Sequence, residues 1–139
     1  MKSFVDQYLL ELSDLLKHLD TARIAQAIGW LRAVRDSGRT VFICGNGGSA
    51  SIASQMVVDI LKGGAFRKKT RFKMIGLNDS VSILTAYAND EGYATVFVEQ
   101  LKNFAQVGDL LIAISAGGSS ENILRAVEYA NSIAFIEGD

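Results

Sequence analysis

One arrangement occurs twice in this chain and restricts its fold more than any other feature. A short apolar strand runs into a loop of glycine and hydroxyl residues, and a helix begins at once. The first copy spans Thr40–Gly64, TVFICGNGGSASIASQMVVDILKGG. Val41, Phe42 and Ile43 form a β-branched and aromatic run that reads as a buried strand. Gly45-Asn46-Gly47-Gly48-Ser49 turns the chain, and Ser49 opens a helical pattern with Ile52, Met56 and Ile60 along one face. Glycine permits the tight turn and lets backbone approach a ligand that a side chain would hold off. In the second copy Leu110–Ile114 is the strand, Ser115-Ala116-Gly117-Gly118-Ser119-Ser120 the loop, and the helix runs from Glu121 to Asn131. At each helix start, unpaired N–H groups and the positive end of the helix dipole converge on one point, which suits an anion.

The rest of the chain alternates in the same way. Residues 3–18 predict an amphipathic helix with a stripe of Val5, Leu9, Leu12 and Leu16, broadened by Tyr8 and Leu15; Ser3 and Asp6 have capping-box spacing. Asp20 or Thr21 caps a second helix through Asp36, with Ile24, Ile28, Leu31 and Val34 inward and Gly38 as its stop. Two helices before the first strand have few places to bury two apolar faces, so residues 1–38 read as a segment that packs against another copy of the chain. Phe72–Leu77 is a second strand, ended by Asn78-Asp79-Ser80, which caps a helix from Val81 to Asn89. A further helix is expected over Ala94–Ala105, with Val96, Phe97, Leu101 and Phe104 inward, and a fourth strand over Ser132–Ile136. Alternating strands and helices demand a parallel sheet with helices on both faces. In such sheets ligands sit beyond the carboxyl ends of the strands, where loops 45–49, 78–80 and 115–120 all fall.

Composition bounds the function. At 139 residues the chain is one domain with one core. A net charge of -1 gives no electrostatic footprint for nucleic acid or an anionic membrane. No apolar run approaches the roughly 18 residues that a bilayer span requires, and acids at Asp6 and Glu11 exclude a secretory signal. The single cysteine, Cys44, cannot form an internal disulfide, reads as a small buried filler and fits a reducing cytoplasm. His18, the single histidine, stands where it serves a helix C-terminus, and Arg67-Lys68-Lys69-Thr70-Arg71 reads as a solvated basic loop.

Two glycine and serine loops feeding helix starts suit a phosphate without help from lysines. Asn46, Asn78 and Asp79 are then placed for sugar hydroxyls. Asp59 is the carboxylate best placed for proton transfer, about 15 Å along the helix from Ser49 at 1.5 Å per residue. A solvent-exposed Asp59 with no role stands beside that reading.

Three stretches, GNGGSASIASQMVVDILKG, LNDSVSILTAYANDEGYATVFVEQL and GDLLIAISAGGSSENILRAVEYA, closely resemble the sugar isomerase (SIS) domain, and within it the sedoheptulose 7-phosphate (phosphoheptose) isomerases. The resemblance implies a flavodoxin-like, Rossmann-like three-layer α/β sandwich preceded by a helix pair, and a homotetramer or dimer. It also implies a cytoplasmic isomerase that converts sedoheptulose 7-phosphate to D-glycero-D-manno-heptose 7-phosphate through an enediol, for lipopolysaccharide or capsule biosynthesis. By the same resemblance Asn46, Gly47, Gly48 and Ser49 form the first substrate loop, and Asn78 and Asp79 the second. Ser115, Ala116, Gly117, Ser119 and Ser120 form the phosphate loop, and Asp59 takes the place of the catalytic glutamate. Gln55 falls where many members have a zinc-binding histidine, so zinc at Gln55 and Asp59 is the one cofactor implied. Ala116 and Gly117 replace Thr and Ser of the family pattern, and Glu121 replaces a frequent proline. The family's closing strand and helix, which carry a catalytic histidine and a second polar ligand, are expected beyond the end of this sequence. Two other readings compete: a non-catalytic SIS module that binds a sugar phosphate or a partner protein such as the replication initiator, and a nucleotide-binding Rossmann unit. Gly45-x-Gly47-x-x-Ala50 fits the Rossmann pattern, but Asp79 lies too far on to serve as its acidic partner.

Overall fold

The computed structural model describes residues 2–133. Its elements are α1 (Lys2–Lys17), α2 (Thr21–Asp36), β1 (Thr40–Gly45), α3 (Gly48–Val58), β2 (Lys73–Gly76), α4 (Val81–Asp90), α5 (Val98–Phe104), β3 (Leu110–Ile114) and α6 (Glu121–Ser132). A π-helical turn, Asp59–Gly64, prolongs α3, and a 3-10 turn, Tyr93–Thr95, precedes α5. Of the strand expected over Ser132–Ile136, Ser132 ends α6 and Ile133 is its C-cap, and residues 134–136 lie outside the described residues.

All pairing is parallel, in the order β2-β1-β3. Val41 lies opposite Met74 and Leu110, and Ile43 opposite Gly76 and Ile112. The period of two along each strand divides the core between the sheet's faces. Phe42, Cys44, Leu111 and Ala113 face Leu77, Val96, Phe97 and Leu101, together with Ile123, Ala126 and Ala130 of α6. Val41, Ile43, Met74, Leu110 and Ile112 face Val34 of α2 and Ala53 of α3. The result is a flavodoxin-like three-layer sandwich, with α2 and α3 on one face and α5 and α6 on the other.

Helix starts follow their caps. Asp20 Oδ1 accepts from the amides of Ala22 and Arg23 at 3.0 and 3.1 Å, so Asp20, and not Thr21, caps α2. Gly38 adopts φ 69° directly after α2, in the left-handed region that closes a helix. His18 serves α1 as its position suggests, with Nδ1 2.8 Å from the carbonyl of Asp14.

Four local expectations are corrected. Ser3 lies inside α1, which already begins at Lys2, so it is no cap. The helix expected over Ala94–Ala105 is broken: Gly92, at φ 91°, launches the 3-10 turn, and Phe97 precedes a short α5. Thr95-Val96 is a β-branched pair at the break, a poor helix former. Phe104 is consequently exposed, while Val96, Phe97 and Leu101 are buried. On α3 Ala53 is buried, with Met56 and Ile60 of the expected face packed beside it, and only Ile52 of that face is exposed, at 57%. Of the α2 residues expected inward, Ile24 and Ile28 are exposed while Leu31 and Val34 pack on the sheet; α1, expected to pack on another copy of the chain, has no buried residue.

Candidate functional site

β1 has β2 on one side and β3 on the other, so the chain order reverses between β1 and β3. In flavodoxin-like sheets such a switch point is where ligands bind. The loops after β1 and β3 flank it, and each leads into a helix.

The first loop depends on close backbone approach. A Cβ on Gly45 would lie 2.7 Å from the backbone carbon and oxygen of Ser49, so only glycine lets α3 start here. Gly47 occupies the cap position at φ 54°, ψ -120°, and supplies no side-chain cap; the Ser49 and Ala50 amides donate to the Asn46 and Gly47 carbonyls, each at 3.0 Å. Gly48 is exposed and Ser49 half-buried at this start. Asn46 turns away from solvent. Its Nδ2 donates to Asn122 Oδ1, its Oδ1 accepts from Asn122 Nδ2, each at 2.9 Å, and Tyr93 Oη donates to the same Oδ1 at 3.0 Å.

In the second loop Asn78 completes the sheet. Its Oδ1 accepts from the Gly45 amide at 3.0 Å and its Nδ2 donates to the Gly45 carbonyl at 2.8 Å. Asp79 accepts from Ser54 Oγ of α3 at 2.6 Å, and its carboxylate covers Gly76, where a Cβ would lie 2.2 Å from Oδ2. The third loop is the open one. Ser115 Oγ accepts from the Gly118 amide at 3.1 Å and shapes the turn, while Ala116, Gly117 and Ser119 are exposed. Ser120 is the N-cap of α6 and makes no side-chain cap bond. Glu121, a charge that would oppose an anion at this helix mouth, is paired with Arg125 one turn on.

Asp59 stands where α3 gives way to the π turn, a backbone form often found at functional sites. It is exposed, and Gln55 Nε2 donates to its Oδ1 at 3.0 Å. Ser51, Ile52, Gln55, Met56 and Asp59 line an open hollow of about 560 Å³ along this face. A separate hollow of about 430 Å³, among Ser82, Ile83, Tyr87 and Phe104, involves none of the three loops.

Among the described residues the donors near Asp59 do not by themselves make a zinc site. Gln55 and Asp59 are fewer ligands than zinc takes, His18 lies at the end of α1, and the described residues contain no cluster of three His, Cys, Asp or Glu side chains. Cys44 is fully buried, and burial pushes its thiol up to about 12, so it is no nucleophile.

Asn122 and Tyr93 were not legible as site residues. Asn122 sits 76 positions from Asn46 and Tyr93 sits 47 positions from it, so only the folded topology joins them. Among the described residues no helix is long and apolar enough to cross a membrane.

Residues 7–135 match the model of the SIS domain family. The chain is 44% identical over 93 residues to the phosphoheptose isomerase of a Nitratiruptor species, covering 66% of this chain and 49% of that protein. It is 36% identical over 107 residues to that of Rhodospirillum rubrum, covering 77% and 56%. The chain thus spans about half the length of these relatives. Among solved structures, the phosphoheptose isomerase of Francisella tularensis superposes with a TM-score of 0.86 at 29% identity, over 96% of this chain and 69% of that one. That of Neisseria gonorrhoeae gives 0.82 at 26%, over 96% and 71%. With the helix pair, the parallel sheet and the glycine loops all matched, the chain belongs to the SIS domain family.

Proposed function

We propose that this domain belongs to an isomerase that interconverts sedoheptulose 7-phosphate and D-glycero-D-manno-heptose 7-phosphate in the cytoplasm. One observation carries the reading: two glycine and serine loops at the sheet's switch point each open a helix without a side-chain cap bond. The relatives named phosphoheptose isomerase supply the substrate.

The phosphate rests against the starts of α3 and α6, held by loop amides and by the hydroxyls of Ser49, Ser115, Ser119 and Ser120. Backbone at Ala116 and Gly117 contributes there, since neither residue carries a hydroxyl. Asp79, braced by Ser54, receives a sugar hydroxyl. Asn46 and Asn78 act on the substrate through the loops they hold, because their amides are engaged within the protein. Asp59 is the base. It takes a proton from C1 of the ketose while an acid protonates the C2 carbonyl oxygen, giving the enediol; return of a proton to C2 and loss of one from the C1 hydroxyl give the aldose. Gln55 orients the Asp59 carboxylate. No step runs through zinc.

Self-association completes the proposal. α1 leaves Leu9, Leu12, Leu15 and Leu16 exposed, an apolar face suited to another copy of the chain.

The test is turnover and thermal stabilisation of the full-length gene product with sedoheptulose 7-phosphate. Asp59→Asn is expected to lower kcat by roughly 100-fold or more while stabilisation by the ligand persists. Stabilisation without turnover in the unaltered protein would instead mark a binding module without chemistry. No response to the ligand would overturn the sugar-phosphate reading.

A further inference from the structure

Asn46, Asn122 and Tyr93 join three segments that are remote in sequence: the first glycine loop, the first turn of α6 and the 3-10 turn before α5. The two asparagine side chains form a reciprocal pair, each amide nitrogen donating to the other's oxygen at 2.9 Å. Tyr93 adds a third bond, its hydroxyl donating to Asn46 Oδ1 at 3.0 Å. Asn122 is 3% exposed and Asn46 half-buried, so the pair is shielded from competing water. Asn122 Oδ1 also accepts from the amide of Ile123 at 3.0 Å, which fixes its side chain to the start of α6.

Each end of this bridge belongs to one of the two helix starts that face the anion. Asn46 immediately precedes Gly47, the N-cap of α3, and Asn122 is the second residue of α6, after Ser120, its N-cap. The separation of the two N-caps is therefore set by the asparagine pair, since neither helix has a side-chain cap of its own. A pair of helix starts shares one phosphate only while their spacing matches it, and misplacement on the order of 1 Å costs about 100-fold in a positioned reaction.

We propose that Asn122 and Tyr93 are positioning residues that hold the two phosphate-receiving helix starts at the spacing of one phosphate, with Asn46 as the anchor between them. The proposal rests on the sugar-phosphate reading of the site. Tyr93 is the informative handle. Its ring is 57% exposed and only its hydroxyl joins the bridge, so Tyr93→Phe removes one bond and leaves the core in place. Asn46→Ala and Asn122→Ala both remove the two bonds of the pair, and each removes one bond more, that from Tyr93 or that from the Ile123 amide, so their effects are less than additive.

The experiment measures inorganic phosphate affinity by calorimetry, KM and kcat for sedoheptulose 7-phosphate, and amide hydrogen exchange, on the full-length protein and these variants. Tyr93→Phe is expected to weaken phosphate binding and raise KM several-fold with an unchanged melting temperature. Asn46→Ala and Asn122→Ala are each expected to weaken phosphate binding and raise KM by about tenfold, and the double variant by less than the product of the two. Without ligand, exchange should quicken at Ser49, Ala50 and Ile123 in all variants and stay unchanged at Phe42 and Ile43. Wild-type affinity in a stable Tyr93→Phe protein, or additive losses in the double variant, would overturn the proposal. Failure of the unaltered protein to bind phosphate would overturn the sugar-phosphate reading instead, and the exchange profile would still decide whether the bridge holds the two helix starts.

Discussion

A methyl group at Gly45 would press on the Ser49 backbone at 2.7 Å, whereas one at Gly48, three residues on, would meet nothing within 4 Å. Gly45→Ala is therefore expected to push α3 off the strand, with about 2 kcal/mol or more lost in denaturant unfolding. Gly48→Ala should stay within about 0.5 kcal/mol of the parent in the same assay. The glycine run announced a tight turn in the sequence, but not which glycine the close approach required. Asn46 shows the same limit: its loop was legible as a candidate site, while its side chain is spent on Asn122, a partner that no local pattern could indicate. Cys44 lends itself to a test by pH. Burial raises its thiol from 9.0 to about 12, so the native protein keeps the proton while the unfolded chain loses it. Stability should be independent of this group below pH 9 and fall as pH rises from 9 toward 12. Cys44→Ala should flatten that part of the stability curve, and a thiol reagent at neutral pH should label Cys44 only after unfolding.

Among the elements, α1 is the one whose residues find no place in this chain's core. Its stripe was plain from leucine spacing, and the structure leaves all of it exposed, Leu16 at 60%. Replacing Leu9 and Leu16 together by Glu is expected to lower the mass measured by light scattering to that of a smaller assembly, with the far-ultraviolet spectrum of the sheet domain retained. An unchanged mass would dissociate α1 from assembly. α3 and α5 show where periodicity stops being informative. Of Ile52, Met56 and Ile60, the last two pack against the sheet beside the buried Ala53 while Ile52 stays exposed, because closeness of approach there selects a small residue over a large one. The break at residues 93–97 was hidden because Val96, Phe97 and Leu101 satisfy an apolar pattern whether or not the helix between them is continuous.

For the molecule as a whole, the alternating order of strands and helices disclosed the parallel sheet, and the three loops fall at the carboxyl ends of its strands. The strand order did not follow from the sequence, since β2 and β3 are chemically similar neighbours for β1 and only packing assigns their sides. The core is divided by the sheet, so its halves can be probed separately. Phe97 is fully buried on the side of α5 and α6, and Phe97→Ala is expected to cost about 3–5 kcal/mol in denaturant unfolding. Val41→Ala tests the opposite layer, with about 1–3 kcal/mol lost. Asn78 carries a consequence of another kind. The β1–β2 ladder ends at Ile43 and Gly76, and the next rung on β1 is supplied by a side chain instead of a strand. The end of pairing is thus encoded in one residue and is indifferent to the length of chain that follows. Insertions after Asp79 should be absorbed without slipping the sheet, since the rung before them is closed by Asn78 alone.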